Sequence, residues 1–403
     1  MKITGITAEY NPFHNGHKLH FEESMRLTDT ENLFVVMSGN FTQRGEPAIF
    51  DKYIRTKWAL ENGAGIVVEL PCVFASASAE FFASAAVKIF NDSKICDNIS
   101  FGAETDSIER LTKNARIISD ENTEFKSALS QFLSQGLSYP AARDKAAEKL
   151  LGEETLISSP NNILACEYIK ALLSLDSSIR PYAVKRTGND YNQTETSGKY
   201  SSATSIRTKI FEGKAEEISF AVPSSTYNAI LKGDMPVRSF SDLSEILNYR
   251  LRMLSAQDLT QYHGISEGLE NRIIASLGKE NYDADNLVSA IKSKRYTHTR
   301  IQRSLLHICL DIKDSDLMRY KENGYAPYIR VLGFRKDKEY MLKTLAENSE
   351  IPVITNIKNA HKVLDDYGME ILSKEIQADN IYNMLGSGSK LLNTDFTTPL
   401  VIV

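Results

Sequence analysis

At 403 residues the chain is longer than one hydrophobic core usually organises, so two domains are expected. Its composition is 42% hydrophobic and 25% charged, no apolar run reaches the length of a membrane span, and the opening MKITGITAEY lacks a signal peptide's apolar stretch; a membrane-spanning role is excluded and a cytoplasmic location expected. Net charge is −5, divided −3 over residues 1–215 and −2 over the remainder, so neither half is basic overall and a nucleic-acid partner would need a local patch of cations.

Along the first half, short apolar or β-branched runs alternate with helical periodicity. KITGITAEY, NLFVVMSG, GIVVELP, DNISFGAE and RPYAVKR read as strands, bounded by Gly, Pro, Asn or Asp. Between them DKYIRTKWALENGA reads as a helix with Asp51 as N-cap and Gly63 at its end, and SASAEFFASAAVKIFND as another. This alternation predicts an α/β domain over residues 1–213, a Rossmann-like parallel sheet wrapped by helices. From residue 214 to 403 the pattern changes to amphipathic helices with little strand between them: FSDLSEILNYRLRMLSA, GLENRIIASL, ADNLVSAIKSKR and TRIQRSLLHICLDI. A mainly α-helical second domain is expected there. Cys72, Cys96, Cys166 and Cys309 are scattered in apolar company and read as packing thiols.

Ligands of open parallel sheets sit beyond the carboxyl ends of the strands. There, directly after the first strand, stands NPFHNGHKLH with His14, His17 and His20. A metal site is one reading, but residues three apart on a helix converge imperfectly. In the other, Pro12 and Gly16 shape the turn, His17 caps or opens the first helix, and the first two imidazoles face anionic oxygens at its positive end. The phosphate reading is preferred, His20 is taken as structural, and no protein-held metal is expected.

FHNGH resembles the H-x-G-H signature of a nucleotidyltransferase superfamily, and SSATSIR at 201–207 resembles its second signature. Together with MSGNFTQRGEPAIFDKYIRTKWAL, VVELP, SFGAE, SPNNILACEYIKAL, VKRTGNDYN and KRYTHTRIQRSLLH, these motifs make the chain similar to the bacterial tRNA(Met) cytidine acetate ligases over most of its length. The resemblance implies activation of acetate by ATP to acetyl-adenylate, then acetyl transfer to N4 of the wobble cytidine of elongator tRNA(Met). It implies ATP contacts from Thr7, Ala8, Glu9, Tyr10, Asn11, Pro12, Phe13, His14, Asn15, Gly16, His17, Lys18, Leu19 and His20, with Gly102, Asn161 and Arg186. Asn162 competes with Asn161 for its place. Catalytic roles fall to His14, His17 and Arg207, with Mg2+ bridging the triphosphate. A cofactor-pathway adenylyltransferase would share both signatures but leave the second half without a use.

Gln43 and Arg44 follow the second strand and suit a small carboxylate or phosphate, unless Arg44 merely pairs with Glu46. Lys52, Arg55 and Lys57 share a helix: Arg55 and Lys57 read as its solvated face, while Lys52 stands open between that face and a functional role. In KSKRYTHTRIQR, Lys292, Lys294, Arg295, Arg300 and Arg303 occur without a carboxylate, and Tyr296 is read as a stacking platform for an RNA base. Arg300, Arg303 and His307 are expected on one phosphate-facing side of that helix.

Overall fold

The computed structural model describes residues 2–119, 122–137, 139–152, 155–156, 159–186, 200–278, 282–386 and 391–403; residues 187–192 of the VKRTGNDYN motif fall outside them. Every strand expected in the first half is present: β1 (Thr4–Ala8), β2 (Leu33–Ser38), β3 (Ile66–Leu70), β4 (Asn98–Ala103) and β5 (Arg180–Lys185). The helices that matter for the site are α1 (Asn15–Thr28), α2 (Lys52–Glu61), α3 (Ala79–Ser93), α4 (Pro160–Ser174) and α5 (Ala203–Phe211). Asp51 caps α2 as expected, accepting from the Tyr53 amide at 2.7 Å, and Gly63 leaves it at φ 126°.

Successive residues of β2 enter different cores, Phe34 and Val36 on one face and Leu33, Val35 and Met37 on the other. A strand buried on both faces is why this run is continuously apolar rather than alternating. Strands β1 to β5 lie in the order β5-β4-β1-β2-β3 and are mutually parallel. The chain moves outward from β1 through β2 to β3 and then returns to β4 on the other side of β1, so the switch point lies between β1 and β4.

The second half is helical where expected, including α6 (His298–Leu310) and α7 (Asp366–Met384), but it also contributes three strands that the sequence pattern did not reveal. β6 (Ile329–Phe334) pairs antiparallel with β3, while β7 (Val353–Ile354) and β8 (Val401–Ile402) share its outer edge. The sheet therefore continues past residue 213 into the second half.

Lys52 and Arg55 correct the solvated-face reading of α2: both are fully buried, and Lys57 alone of the three is exposed. Lys52 Nζ contacts Asp379 and lies 2.8 Å from Glu69 and 3.1 Å from Asp395. Arg330 lies 2.6 Å from Glu69 and 2.8 Å from Asp395. With Glu375 against Glu69 and the Cys72 amide, four carboxylates face two cations. Such a set is tolerable in low dielectric only if protons offset the excess. Burial, reinforced by the Glu69 charge, pushes Glu375 from its ordinary 4.5 up to about 8. A carboxyl raised in the folded state contributes stability that is fully present below about 4.5 and lost as pH rises through about 8. Glu375→Gln, permanently neutral, is expected to flatten that slope in urea unfolding measured from pH 5 to 9; an unchanged slope would place the excess proton elsewhere.

Candidate active site

Beyond the carboxyl ends of β1, β4 and β5 lies a cavity of about 290 Å³. Thr7 to Asn11 line it from β1, Phe101 and Gly102 from β4, and Val184 to Arg186 from β5. Two helix N-termini meet it: α1 contributes His14, Gly16, His17 and His20, and α5 contributes Ser201 to Thr204 and Arg207. Ser202 caps α5, accepting from the Ser205 amide at 3.1 Å. The two signatures, nearly two hundred residues apart in sequence, thus place the positive ends of two helices on one cavity.

The N-cap of α1 is His14, and His17, expected to cap or open the helix, stands one turn inside. His14 Nδ1 accepts from the Gly16 amide at 3.0 Å, and His17 Nδ1 accepts from the His14 amide at 3.2 Å. A Cβ on Gly16 would meet the His14 ring at 2.8 Å, so only glycine permits this cap. Burial, with Arg186 and Arg207 close by, lowers His14 to about 3. Burial lowers His17 well below the ordinary histidine value, and burial with Arg186 lowers His20 to about 4. A neutral imidazole whose Nδ1 accepts must carry its proton on Nε2. His14 and His17, with rings stacked at 3.7 Å, therefore each retain one Nε2–H donor. His20 differs, pairing its Nε2 with Ser100 Oγ at 3.3 Å.

Arg207 donates to the Asn11 carbonyl at 2.9 Å and meets Glu46 at 3.0 Å, which ties the second signature to the first. Glu46 is thereby paired to Arg207. Gln43 and Arg44 line the cavity from the loop after β2. Asn161 lines it as well, whereas Asn162 turns inward and accepts from the Glu104 amide at 3.0 Å. Pro12, Phe13, Asn15 and Lys18 shape the loop and first turn without lining the cavity.

Two features of the site are not legible in the sequence. Phe82, Phe101, Leu164 and Tyr168 form an apolar wall, with the Phe101 and Tyr168 rings stacked at 5.5 Å. Their sequence signal is that of ordinary core residues, so the pattern could not single them out. Buried Arg55 is the second, donating to the carbonyls of Glu9 and Ser38 at 2.5 and 3.1 Å and also to Gly39. It joins the loop leaving β1 to the loop leaving β2.

The basic segment departs from expectation. Lys292, Lys294 and Arg295 are exposed, but Tyr296 is 7% exposed and donates its hydroxyl to the Glu267 carbonyl, so its ring offers no stacking face. Arg300 is held by the Gly264 carbonyl, Ser266 and Glu267. Arg303 turns toward the first half and donates to the Gln43 carbonyl at 3.4 Å; burial, with Arg300 beside it, lowers it to about 10. His307 is fully buried against Ser76, which removes it from any phosphate face. Gly45, at φ 82°, is where α6 rests on the loop: a Cβ there would lie 2.4 Å from the Arg303 nitrogen.

Residues 1–395 match the model of the HIGH Nucleotidyl Transferase family. The chain belongs to that family. Within it, the chain is 40% identical to a tRNA(Met) cytidine acetate ligase of Thermoanaerobacter sp. (strain X514) and 39% identical to one of Clostridium perfringens, each match covering 100% of both chains. The apo crystal structure of Thermotoga maritima TmcAL superposes with a TM-score of 0.95 at 30% identity, covering 100% of both chains. The same protein bound with alpha-thio ATP gives 0.92 at 30% identity, covering 100% of this chain and 99% of that one. This HIGH nucleotidyltransferase thus has full-length relatives in both sequence and structure, and its H-x-G-H residues lie at the cavity.

Proposed function

We propose that the chain is an ATP-dependent tRNA(Met) cytidine acetate ligase, forming acetyl-adenylate and passing the acetyl group to N4 of the wobble cytidine of elongator tRNA(Met). The observation that carries this reading is a cavity where two helix N-termini and four cationic side chains, Arg44, Lys185, Arg186 and Arg207, converge, in a chain whose full-length relatives bear that name.

ATP enters with its base against the Phe101 and Tyr168 wall and its triphosphate across the ends of α1 and α5. Attack of an acetate oxygen on the α-phosphorus develops charge on oxygens, so the site needs fixed donors more than a nucleophile. His14 and His17 give Nε2–H donors, Arg207 and Arg186 give cations, and Gly102 and Asn161 border the nucleotide. Gln43 and Arg44 receive the acetate. Glu9 is the single carboxylate among the described lining residues, so Mg2+ would be held chiefly by phosphate oxygens, whose charge it would offset.

The tRNA lies on Lys292, Lys294 and Arg295, with Arg300 and Arg303 bracing that segment against its surroundings. Residues 1–213 supply the nucleotide site, residues 214–403 supply the RNA surface, and the work is cytoplasmic. Changing Lys292, Lys294 and Arg295 together to alanine should weaken tRNA binding and flatten the slope of log affinity against log salt by about 0.7 to 0.9 for each phosphate no longer neutralised. Filter binding at several salt concentrations checks this; an unchanged slope would move the RNA surface elsewhere. The activity itself is tested by incubating the protein with ATP, labelled acetate and unmodified tRNA(Met), expecting label in N4-acetylcytidine at the wobble position, and no label in a transcript with uridine there.

A further inference from the structure

We propose that Glu9 is the general base of the transfer step, taking the proton from the N4 amine of the acceptor cytidine as that nitrogen attacks the acetyl carbonyl; the inference rests on the ligase reading above. A carboxylate beside bound triphosphate is repulsive, yet Glu9 lines the cavity where the other charged lining groups among the described residues are Arg44, Lys185, Arg186 and Arg207. A group of that sign is of use to a donor, and the substrate whose N–H must give up its proton in this reaction is the cytidine.

Its position fits that task. Glu9 leaves β1 on the side of the loop carrying Gln43 and Arg44, and its carboxylate accepts from the Gln43 amide at 2.7 Å. The Gln43 carbonyl accepts in turn from Arg303, and Gly45 of the same loop seats the backbone of α6, the helix that follows Lys292 to Arg295. Glu9 therefore faces the wall that joins the cavity to the proposed RNA surface, while the apolar Phe101 and Tyr168 wall rises from β4 and α4. Arg55 fixes the Glu9 backbone by donating to its carbonyl.

In the step itself, the N4 lone pair forms the C–N bond and the bond from the acetyl carbon to the phosphate oxygen breaks. AMP leaves with that electron pair, and the N4 proton passes to the Glu9 carboxylate and then to solvent. The amine lone pair is delocalised into the pyrimidine ring, which makes a base in the transition state worth about 100- to 10,000-fold. The groups facing Glu9 are the Gln43 amide, Arg44 and Glu46 from the loop, Arg207 from α5 and Tyr168 from α4. Burial is the largest influence and pushes the Glu9 carboxyl up, against the pull of the Gln43 amide, Arg44 and Arg207.

Glu9→Gln keeps an oxygen for the Gln43 amide and removes the base. Acetate-dependent ATP–pyrophosphate exchange reads adenylate formation, and acetylation of an anticodon stem-loop reads transfer. In E9Q, transfer should fall at least about 100-fold further than exchange, and Glu9→Asp should recover part of the difference. Equal losses in both assays would make Glu9 a nucleotide or Mg2+ contact and overturn the inference. Wild-type protein should show transfer, but not exchange, declining as pH falls through a raised carboxylate value; parallel decline overturns the inference even where E9Q folds poorly. Absence of acetate-dependent exchange in wild-type protein would instead overturn the ligase reading, and this one with it.

Discussion

Replacing His14 by alanine is expected to slow adenylate formation by about 100- to 1000-fold, the loss that follows removal of one preorganised donor from a charge-developing site. The geometry separates two contributions of this side chain. Nδ1 caps α1 by accepting from the Gly16 amide, and loss of an N-cap costs about 1 kcal/mol of stability. Nε2–H is the donor left for phosphate oxygen, and its proton is secure because burial and the nearby Arg186 and Arg207 charges hold His14 neutral, at about 3. His14→Asn separates the two, since asparagine is a good N-cap but cannot reach where Nε2 stood. H14N should keep the wild-type melting temperature while losing nearly as much exchange activity as H14A. Wild-type exchange in H14N would reduce His14 to a cap.

Lys52→Met is expected to lower the free energy of unfolding by about 3–5 kcal/mol, because removing one partner leaves uncompensated charge in the interior. Lys52 is the cation shared by Glu69 of β3, Asp379 of α7 and Asp395 near the C-terminus. The cluster also sets the loop after β2, since Asn40 donates to Asp379 at 2.8 Å and accepts from the Lys52 amide at 2.8 Å. K52M should therefore disturb Gln43 and Arg44 as well as stability. Urea denaturation monitored by circular dichroism gives the number, and a change below about 1 kcal/mol would show that the carboxylates had simply protonated. By the same reasoning a fragment ending at residue 213 would leave Lys52 and Glu69 without Arg330, Asp379 and Asp395, and is expected to lack a cooperative transition.

The centre of the parallel half of the sheet was legible because β2 and β3 are buried on both faces and so read as apolar runs, as NLFVVMSG does, while the half-exposed edge strand β5 was marked by its β-branched and aromatic residues between turn signals. That His14, Gly16 and His17 meet at the cavity was legible because their positions follow from fixed local geometry, a strand, a glycine turn and a helix start. β6 was not: YIRVLGF carries a strand-like run, but Arg330 in its middle can be buried only because Glu69 and Asp395 come to it from distant segments. Lys52 and Arg55 failed for the same reason, since a charge on a helix is buried only when partners remote in sequence satisfy it. Tyr296 failed in the opposite sense. Flanking cations suggested an exposed aromatic, while the Glu267 carbonyl and the surrounding core had already claimed the ring and its hydroxyl.

Everything proposed for this cavity depends on its activating acetate with ATP. Acetate-dependent ATP–pyrophosphate exchange without tRNA tests that step alone. Label should enter ATP from pyrophosphate only when acetate is present, and should fail to enter in H14A and H17A; exchange that ignores acetate, or that requires a phosphorylated small-molecule acceptor instead, would contradict the proposed chemistry.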